Sequence, residues 1–217
     1  MGDRAHVLRL EALEALARAL NRVADAVVVT GIDGEELTTA VAEAGRLAER
    51  LEAATDADPW GARMANGRTG GMVAADFGND LGRLMPVNPV VGTYNPLAPD
   101  LHLRTDGEAV VGRVYCGPAY MGPPGLVHGG VVSAILDQVL GMGAVVAGSP
   151  GFTGTLTIRY RQGTPIATEL GLEARLLSVE GRRVKVWGAI TVGGQITAEA
   201  EGVFIRPRDT APAGMAR

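Results

Sequence analysis

The stretch GPPGLVHGGVVSAILDQVLGMGAVVA, residues 122–147, places a turn rich in glycine and proline directly before a long apolar run. A helix that is apolar on every face is normally buried on all sides. Asp137 and Gln138 are its only strongly polar side chains, and Ser133 is expected to return its hydroxyl to the preceding turn. An ionised carboxylate is costly to remove from water, so it rarely occupies such a place unless it is paired or used. The stretch therefore predicts a buried central helix in which Asp137 needs an explanation.

The glycines at the start of this helix suggest a function in which the Asp137 carboxylate could take part. His128, Gly129 and Gly130 lie where the loop becomes helix, and the first backbone N–H groups there have no intrahelical acceptor. Such donors, with the positive end of the helix dipole, suit a carbonyl oxygen that becomes an oxyanion. Asp137 lies about 13 Å further along the axis at the usual rise per residue. One helix cannot easily bring both groups to one substrate, whereas two copies packed antiparallel could.

The segments GPPGLVHGGVVSAILDQVLG, GTLTIRYRQGTPIATEL and SVEGRRVKVWGAITVGGQITAEAEGVFIRP resemble the hotdog-fold acyl-CoA thioesterases, and the phenylacetate-pathway (PaaI-like) group most closely. The resemblance covers residues 88–207. It implies an α+β hotdog fold, in which an antiparallel sheet wraps around one long central helix. It also implies hydrolysis of acyl-CoA to a free acid and CoA, with coenzyme A present only as part of the substrate and no further cofactor.

By position in the family motif, Asp137 is the general base on water or the nucleophile that forms a transient mixed anhydride, and the Gly129 N–H is the oxyanion donor. The resemblance also places a Ser or Thr at Thr153 to position the water or the aspartate. His128 is expected to shape the oxyanion site rather than to transfer protons, because no carboxylate neighbours it locally. Many relatives carry an asparagine where this chain has Gly122, which leaves the orientation of His128 open.

Several assignments have alternatives. Asp137 could instead pair with an arginine of a neighbouring strand, and Thr153 could be an ordinary strand-edge residue. Gly130 is a candidate for substrate contact or for close packing alone. Coenzyme A phosphates need cations, and we expect a cluster to supply them rather than any individual residue. The candidates are Arg159, Arg161, Arg182, Arg183, Lys185, Arg206 and Arg208. No metal-ligand spacing is present in the sequence. The rival functions are a hotdog-fold enoyl-thioester hydratase or dehydratase and a non-catalytic acyl-CoA-binding protein.

The composition narrows the class of protein. The chain has 217 residues, which suffices for one large domain or for a domain with an extension. A formal charge of −4 gives no reason to expect nucleic acid or an acidic membrane as a partner. Cys116 is the single cysteine, and the N-terminus lacks a signal-peptide core. We expect a cytoplasmic protein that acts on acyl-CoA as a homodimer or a dimer of dimers.

Hydrophobic periodicity divides the chain into four parts: residues 1–54, 55–85, 86–207 and 208–217. The first is predicted to be a helical hairpin that packs on the main domain or on its symmetry mate. Its first helix, residues 5–29, carries an apolar stripe, and its second runs to about residue 54 from a capping box of Asp33 and Glu36. The two stripes are Leu13, Leu16, Leu20, Val23 and Val27, and Leu37, Val41, Ala44, Leu47 and Leu51.

The other three parts are predicted to be a connector, a hotdog thioesterase domain and a flexible tail. Within the domain, a hairpin turn is expected at Thr105-Asp106-Gly107, and further turns at Glu180-Gly181 and Gly193-Gly194. Alternating apolar residues between these turns predict five or more antiparallel strands. The sheet and the central helix together give an α+β architecture.

Overall fold

The computed structural model describes residues 2–55 and 80–208. The helices are α1 (Gly2–Val29), α2 (Gly34–Glu52) and α3 (Gly129–Val146), with short 3₁₀ turns at Leu81–Leu84 and Pro118–Tyr120. The strands are β1 (Asp100–Asp106), β2 (Ala109–Tyr115), β3 (Phe152–Tyr160), β4 (Glu169–Glu180), β5 (Arg183–Val192) and β6 (Gln195–Ile205).

The six strands form one antiparallel sheet in the order β1-β2-β4-β5-β6-β3. The chain turns between strands where the sequence predicts it, and Gly107 and Gly181 adopt positive φ angles of 59° and 58° that favour glycine. The α+β hotdog architecture is therefore confirmed. β3 lies at an edge of the sheet, so one row of its backbone groups faces away from the other five strands.

The hydrophobic core lies between α3 and one face of the sheet. Leu136 and Leu140 of α3 are fully buried, as are Val186 of β5 and Leu170 of β4. The helix approaches the sheet closely: a Cβ on Gly188 would lie 2.5 Å from a methyl carbon of Leu140. By length and composition α3 is the single helix among the described residues that could cross a membrane, but its buried side chains pack on the sheet.

α3 is covered on one side rather than on all sides. Ala134 is exposed, and Asp137 and Gly141 are partly exposed, along a face that the sheet does not reach. The prediction of complete burial is therefore wrong for the single chain, because one sheet can wrap only part of a helix. This uncovered strip contains the carboxylate that the sequence singled out.

α1 docks on the main domain through a face other than the predicted stripe. Leu10 and Ala17 are buried, whereas Val23 and Val27 are 54% and 67% exposed. The Nδ2 of Asn21 lies 3.0 Å from the carbonyl oxygen of Pro96 and 2.7 Å from the hydroxyl of Tyr120. The helix is thus oriented by polar bonds to loop groups that the sheet leaves unpaired, and its most aliphatic stripe is left partly or fully exposed.

α2 begins without the predicted capping box, and the two helices do not form a hairpin with a buried seam. Asp33 precedes the helix in an extended conformation and its carboxylate makes no capping hydrogen bond. Gly34 starts the helix at a φ of 56°, so the backbone enters the helix by a different path from that of an ordinary capped start. No residue of α2 is buried.

The predicted connector, residues 55–85, lies mostly outside the described residues. Its last part packs into the core: Asp80 accepts a hydrogen bond from the Gly82 amide at 3.1 Å, and Leu81 and Leu84 are buried. The main domain therefore begins at or before residue 80, whereas the sequence predicted a start at residue 86. Residues 209–217 of the predicted flexible tail also lie outside the described part.

Candidate active site

The loop before α3 is held by backbone hydrogen bonds on both sides. The His128 amide donates to the carbonyl oxygen of Tyr120 at 2.9 Å, and the Val127 amide donates to that of Thr164 at 2.8 Å. A Cβ at Gly122 would lie 2.8 Å from the His128 Cα, so glycine is required there by a close contact. These contacts fix the position at which α3 begins.

His128 caps the helix with its ring. The Gly130 amide donates to His128 Nδ1 at 2.9 Å, so Nδ1 carries no proton and the neutral ring holds its proton on Nε2. The ring is thus oriented by the helix start, with Gly122 packed against its backbone. The Gly130 amide is already occupied, which fits a packing role for Gly130 better than a contact with substrate.

Gly129 leaves its amide available. Within residues 2–55 and 80–208 its N–H has no acceptor, whereas its carbonyl oxygen accepts from Ser133 Oγ at 2.9 Å and from the Tyr160 hydroxyl at 3.0 Å. The Ser133 bond to the preceding turn confirms the expectation from the sequence. The two hydroxyl oxygens lie 2.7 Å apart, and because each hydroxyl carries one proton, two of these three hydrogen bonds form at a time. This network fixes the first peptide of α3 and aims one unpaired donor away from the helix.

Asp137 meets Thr153 in the folded chain. Thr153 Oγ1 donates to Asp137 Oδ1 at 2.8 Å, across from α3 to the first residues of β3. The ladder between β3 and β6 shifts register between Thr153 and Thr155, which places an irregularity next to this contact. Within the described ranges Asp137 has no basic partner, and its Oδ2 accepts no hydrogen bond. The structural alternative, an ion pair with a strand arginine, is therefore not found.

The arginine candidates separate into two groups. Arg161 pairs with Glu199 through Nε at 2.9 Å and through Nη2, and its guanidinium together with the Trp187 indole lowers the pKa of the Glu199 carboxyl. Arg159 lines a shallow hollow with Trp187. Arg182 Nε donates to the Arg206 carbonyl oxygen at 2.8 Å, and Arg183 opens β5 opposite the end of β6. No single patch unites the four.

The contacts of β3 place these groups near opposite ends of that strand. Tyr160, at the end of β3, touches Gly129, while Thr153, near its beginning, touches Asp137. Arg159 and Arg161 therefore lie near the glycine end, and Arg183 lies beside the Thr153 end through its pairing with Ile205. One chain holds both halves of the predicted site but does not bring them together.

Two contributors were not among the sequence-based candidates. Tyr160 lies on the same face of β3 as Leu156 and Ile158, which pack on the core, so strand periodicity already placed its ring towards the helix. Ser133 follows Gly129 by one helical turn. Gln138, the other polar residue of the apolar run, has a structural role: its Oε1 accepts from Asn88 Nδ2 at 2.9 Å.

The structure resembles that of the thioesterase superfamily protein RHA08564, with a TM-score of 0.74 and 31% sequence identity over 89% of this chain and 94% of that one. This chain belongs to the thioesterase superfamily. Zebra fish thioesterase superfamily member 2, at 16% identity, gives a TM-score of 0.51 over 58% of this chain and 94% of that one, and supports the fold alone. No family model matches the sequence.

Curated relatives match a shorter region of the chain. Acyl-coenzyme A thioesterase THEM4 of Xenopus laevis is 34% identical over 68 residues, 31% of each chain. Acyl-coenzyme A thioesterase THEM5 of Homo sapiens is 30% identical over 87 residues, 39% of this chain and 35% of that protein. The chain thus spans about a third of the length of the curated relatives it matches.

Proposed function

We propose that this thioesterase-superfamily chain hydrolyses acyl-CoA thioesters to a free acid and CoA. The observation that carries the proposal is the Asp137 carboxylate, which lies on an apolar helix with Thr153 as its hydrogen-bond donor and one oxygen unoccupied by described residues. A carboxylate held in this way is suited to activate water or to attack a carbonyl carbon. The names of the curated relatives point to the same reaction class.

The reaction uses two groups of the chain. The thioester carbonyl oxygen accepts from the Gly129 amide, which stabilises the oxyanion as it forms. Water adds to the carbonyl carbon while Asp137 takes its proton, and collapse of the intermediate expels the CoA thiolate. The proton then returns to the thiolate. If Asp137 instead attacks directly, the thiolate leaves first and water afterwards cleaves the acyl–aspartyl anhydride. Both routes require the same unoccupied carboxylate oxygen.

We propose further that each site is built from two copies of the chain. β3 is an edge strand whose ends carry Thr153 and Tyr160, and Phe152 and Tyr160 are 77% and 54% exposed. An antiparallel pairing of two β3 edges about the middle of the strand places Thr153 of one copy opposite Tyr160 of the other. Asp137 of one copy then faces the Gly129 amide of the second. This arrangement supports a homodimer with two equivalent sites.

The arginines suit the phosphates of the proposed substrate in the same arrangement. In such a dimer, Arg182 and Arg183 of one copy lie near Arg159 and Arg161 of the other, since the two ends of β3 meet. Positive charge would then flank each site even though a single chain divides it between two ends. Arg159 is the better candidate of its pair, because Arg161 is already engaged by Glu199.

The test is release of free thiol from acyl-CoA, followed with a thiol reagent over a panel from short aliphatic through aryl to long-chain substrates. The Asp137→Asn variant is expected to lose roughly a hundredfold or more in kcat, because it can neither accept the proton nor attack. Asp106→Asn, at the exposed end of β1, is the matched control. Unchanged turnover in Asp137→Asn contradicts the assignment.

The panel also separates the rival functions. A hydratase or dehydratase releases no thiol from a saturated acyl-CoA, since it acts on a carbon–carbon bond. A binding protein retains acyl-CoA without turnover, and Asp137→Asn leaves that binding unchanged. Thiol release from saturated substrates that depends on Asp137 therefore identifies hydrolysis.

A further inference from the structure

α2 presents an uncovered aliphatic face. Its apolar residues follow one another at steps of three and four, which places them on one side of the helix. Leu37 is 44% exposed, Val41 66% and Leu51 43%, and no residue of α2 is buried. A contiguous apolar strip of this kind on a protein surface usually marks an interface.

The neighbouring helix does not cover this strip. α1 docks on the main domain through Leu10 and Ala17, and the second half of α1 leaves Val23 and Val27 exposed as well. The described part of the chain therefore offers the α2 face no partner of its own.

The apolar residues of α2 are arranged symmetrically about Ala44. Leu37 and Leu51 lie seven residues to either side of it, and Val41 and Leu47 lie three residues to either side. Two copies of α2 related by a two-fold axis through Ala44, running antiparallel, would pair each Leu37 with Leu51 and each Val41 with Leu47. Alanines 40, 44 and 48 along the same face would let the two helices approach closely. A self-complementary pattern of this kind fits an isologous contact between identical chains.

The charges beside the strip favour the antiparallel orientation. Glu36 lies in the first turn of α2 and Arg50 in the last. At about 100° per residue both fall on the same flank of the apolar strip. An antiparallel pair brings Glu36 of each copy beside Arg50 of the other, whereas a parallel pair keeps these two residues at opposite ends of the contact. The helix carries five glutamates and two arginines, which disfavours an anionic membrane as the occupant.

We propose that α2 is a self-association surface that pairs antiparallel with α2 of a second copy of this chain, centred on Ala44. The contact is separate from the β3 edge and from the proposed hydrolytic site. A chain that uses both surfaces can join dimers into larger assemblies. No residue of the α2 contact takes part in the proposed chemistry, so the two proposals fail independently.

A cysteine at the two-fold position tests this pairing in the full chain. Ala44→Cys is expected to form a disulfide between two chains under mild oxidation, since the two side chains meet at the axis. Ala42→Cys, on the opposite and exposed face of the helix, is the matched control, and the native Cys116 is buried. Non-reducing electrophoresis is expected to show a band of doubled mass for Ala44→Cys alone. Failure of Ala44→Cys to cross-link, or equal cross-linking of Ala42→Cys, overturns the proposal.

Further changes in the Ala44→Cys background test the seam and the orientation. Val41→Glu is expected to abolish the cross-link, with circular dichroism confirming the helix content. Arg50→Glu is expected to reduce the cross-linked fraction several-fold, and adding Glu36→Arg is expected to restore it. Loss without restoration, or no loss at all, overturns the antiparallel register. Binding of Ala44→Cys to phosphatidylglycerol vesicles without cross-linking would assign the face to lipid instead and would also overturn the proposal.

Discussion

Replacing Gly129 by alanine is expected to preserve the stability of the fold while it impairs the proposed chemistry. A Cβ at position 129 would lie 3.8 Å from the Tyr160 ring, an ordinary van der Waals contact, so Gly129→Ala costs no packing energy. Alanine is favoured over glycine in helices by about 0.5–1 kcal/mol. In a chain of this length, 1 kcal/mol shifts Tm by about 2–4 °C, so we expect the variant to melt at or slightly above the wild-type temperature.

The same substitution is expected to reduce activity strongly. The new methyl group stands beside the unpaired amide and keeps a substrate carbonyl at a distance. Loss of one oxyanion donor typically lowers kcat by about 10²-fold or more, and we expect a decrease of that order. Calorimetry and thiol release from acyl-CoA, measured on one preparation, provide the two numbers. A Gly129→Ala protein with the wild-type rate would refute the assignment of this amide.

Gly130→Ala is the matched comparison. There a Cβ would lie 3.1 Å from His128 Nδ1, so the ring must shift and its bond to the Gly130 amide weakens. A helix cap contributes about 1 kcal/mol, which offsets the gain from alanine. We therefore expect Gly130→Ala to be no more stable than wild type and to lose less activity than Gly129→Ala.

Two other measurements examine contacts of the described chain. Thr153→Val removes a hydrogen bond to a carboxylate, worth about 1.5 kcal/mol, and is expected to lower kcat about tenfold. The control is Thr155→Val, two residues further along the strand and exposed, which is expected to leave kcat unchanged. Equal rates in both variants would remove Thr153 from the site. Burial, reinforced by the charge of Asp25, raises the pKa of the Cys116 thiol from 9.0 to about 12. Above pH 9 the unfolded thiol ionises while the folded one stays neutral, so the free energy of unfolding is expected to fall with rising pH by up to about 1.4 kcal/mol per unit. Cys116→Ala is expected to flatten this fall between pH 9 and 10, and an unchanged slope would contradict the buried neutral thiol.

The N-terminal helices show where reasoning from periodicity fails. The stripe of α1 predicts the helix correctly but not the face that docks, because Asn21 and Asp25 anchor it through hydrogen bonds to distant loop atoms. Amphipathicity identifies a face that needs a partner without identifying the partner. In α2 the apolar face has none among the described residues, and the capping box fails because Gly34 adopts a left-handed conformation.

The candidate site also has features that local sequence predicts and a contact that it does not predict. The helix start at His128 and the orientation of Tyr160 towards the helix follow from local spacing, since a cap and a strand alternation involve neighbouring residues. The contact between Asp137 and Thr153 joins residues sixteen positions apart across a loop. The family resemblance marked Thr153 as a candidate from the sequence. Only the packing of β3 against α3 brings its hydroxyl to the Asp137 carboxylate.

By itself the sequence determined the central helix, the strands and their turns, because hydrophobic period and turn residues act over a few positions. Its resemblance to a known family marked the candidate site residues. Only the tertiary structure decided that α3 keeps an open strip, that β3 is an edge strand, and that Gly129 meets Tyr160 while Asp137 meets Thr153, near opposite ends of β3. Those properties depend on which distant segments pack together, and packing is set by the summed fit of the whole core rather than by any local pattern.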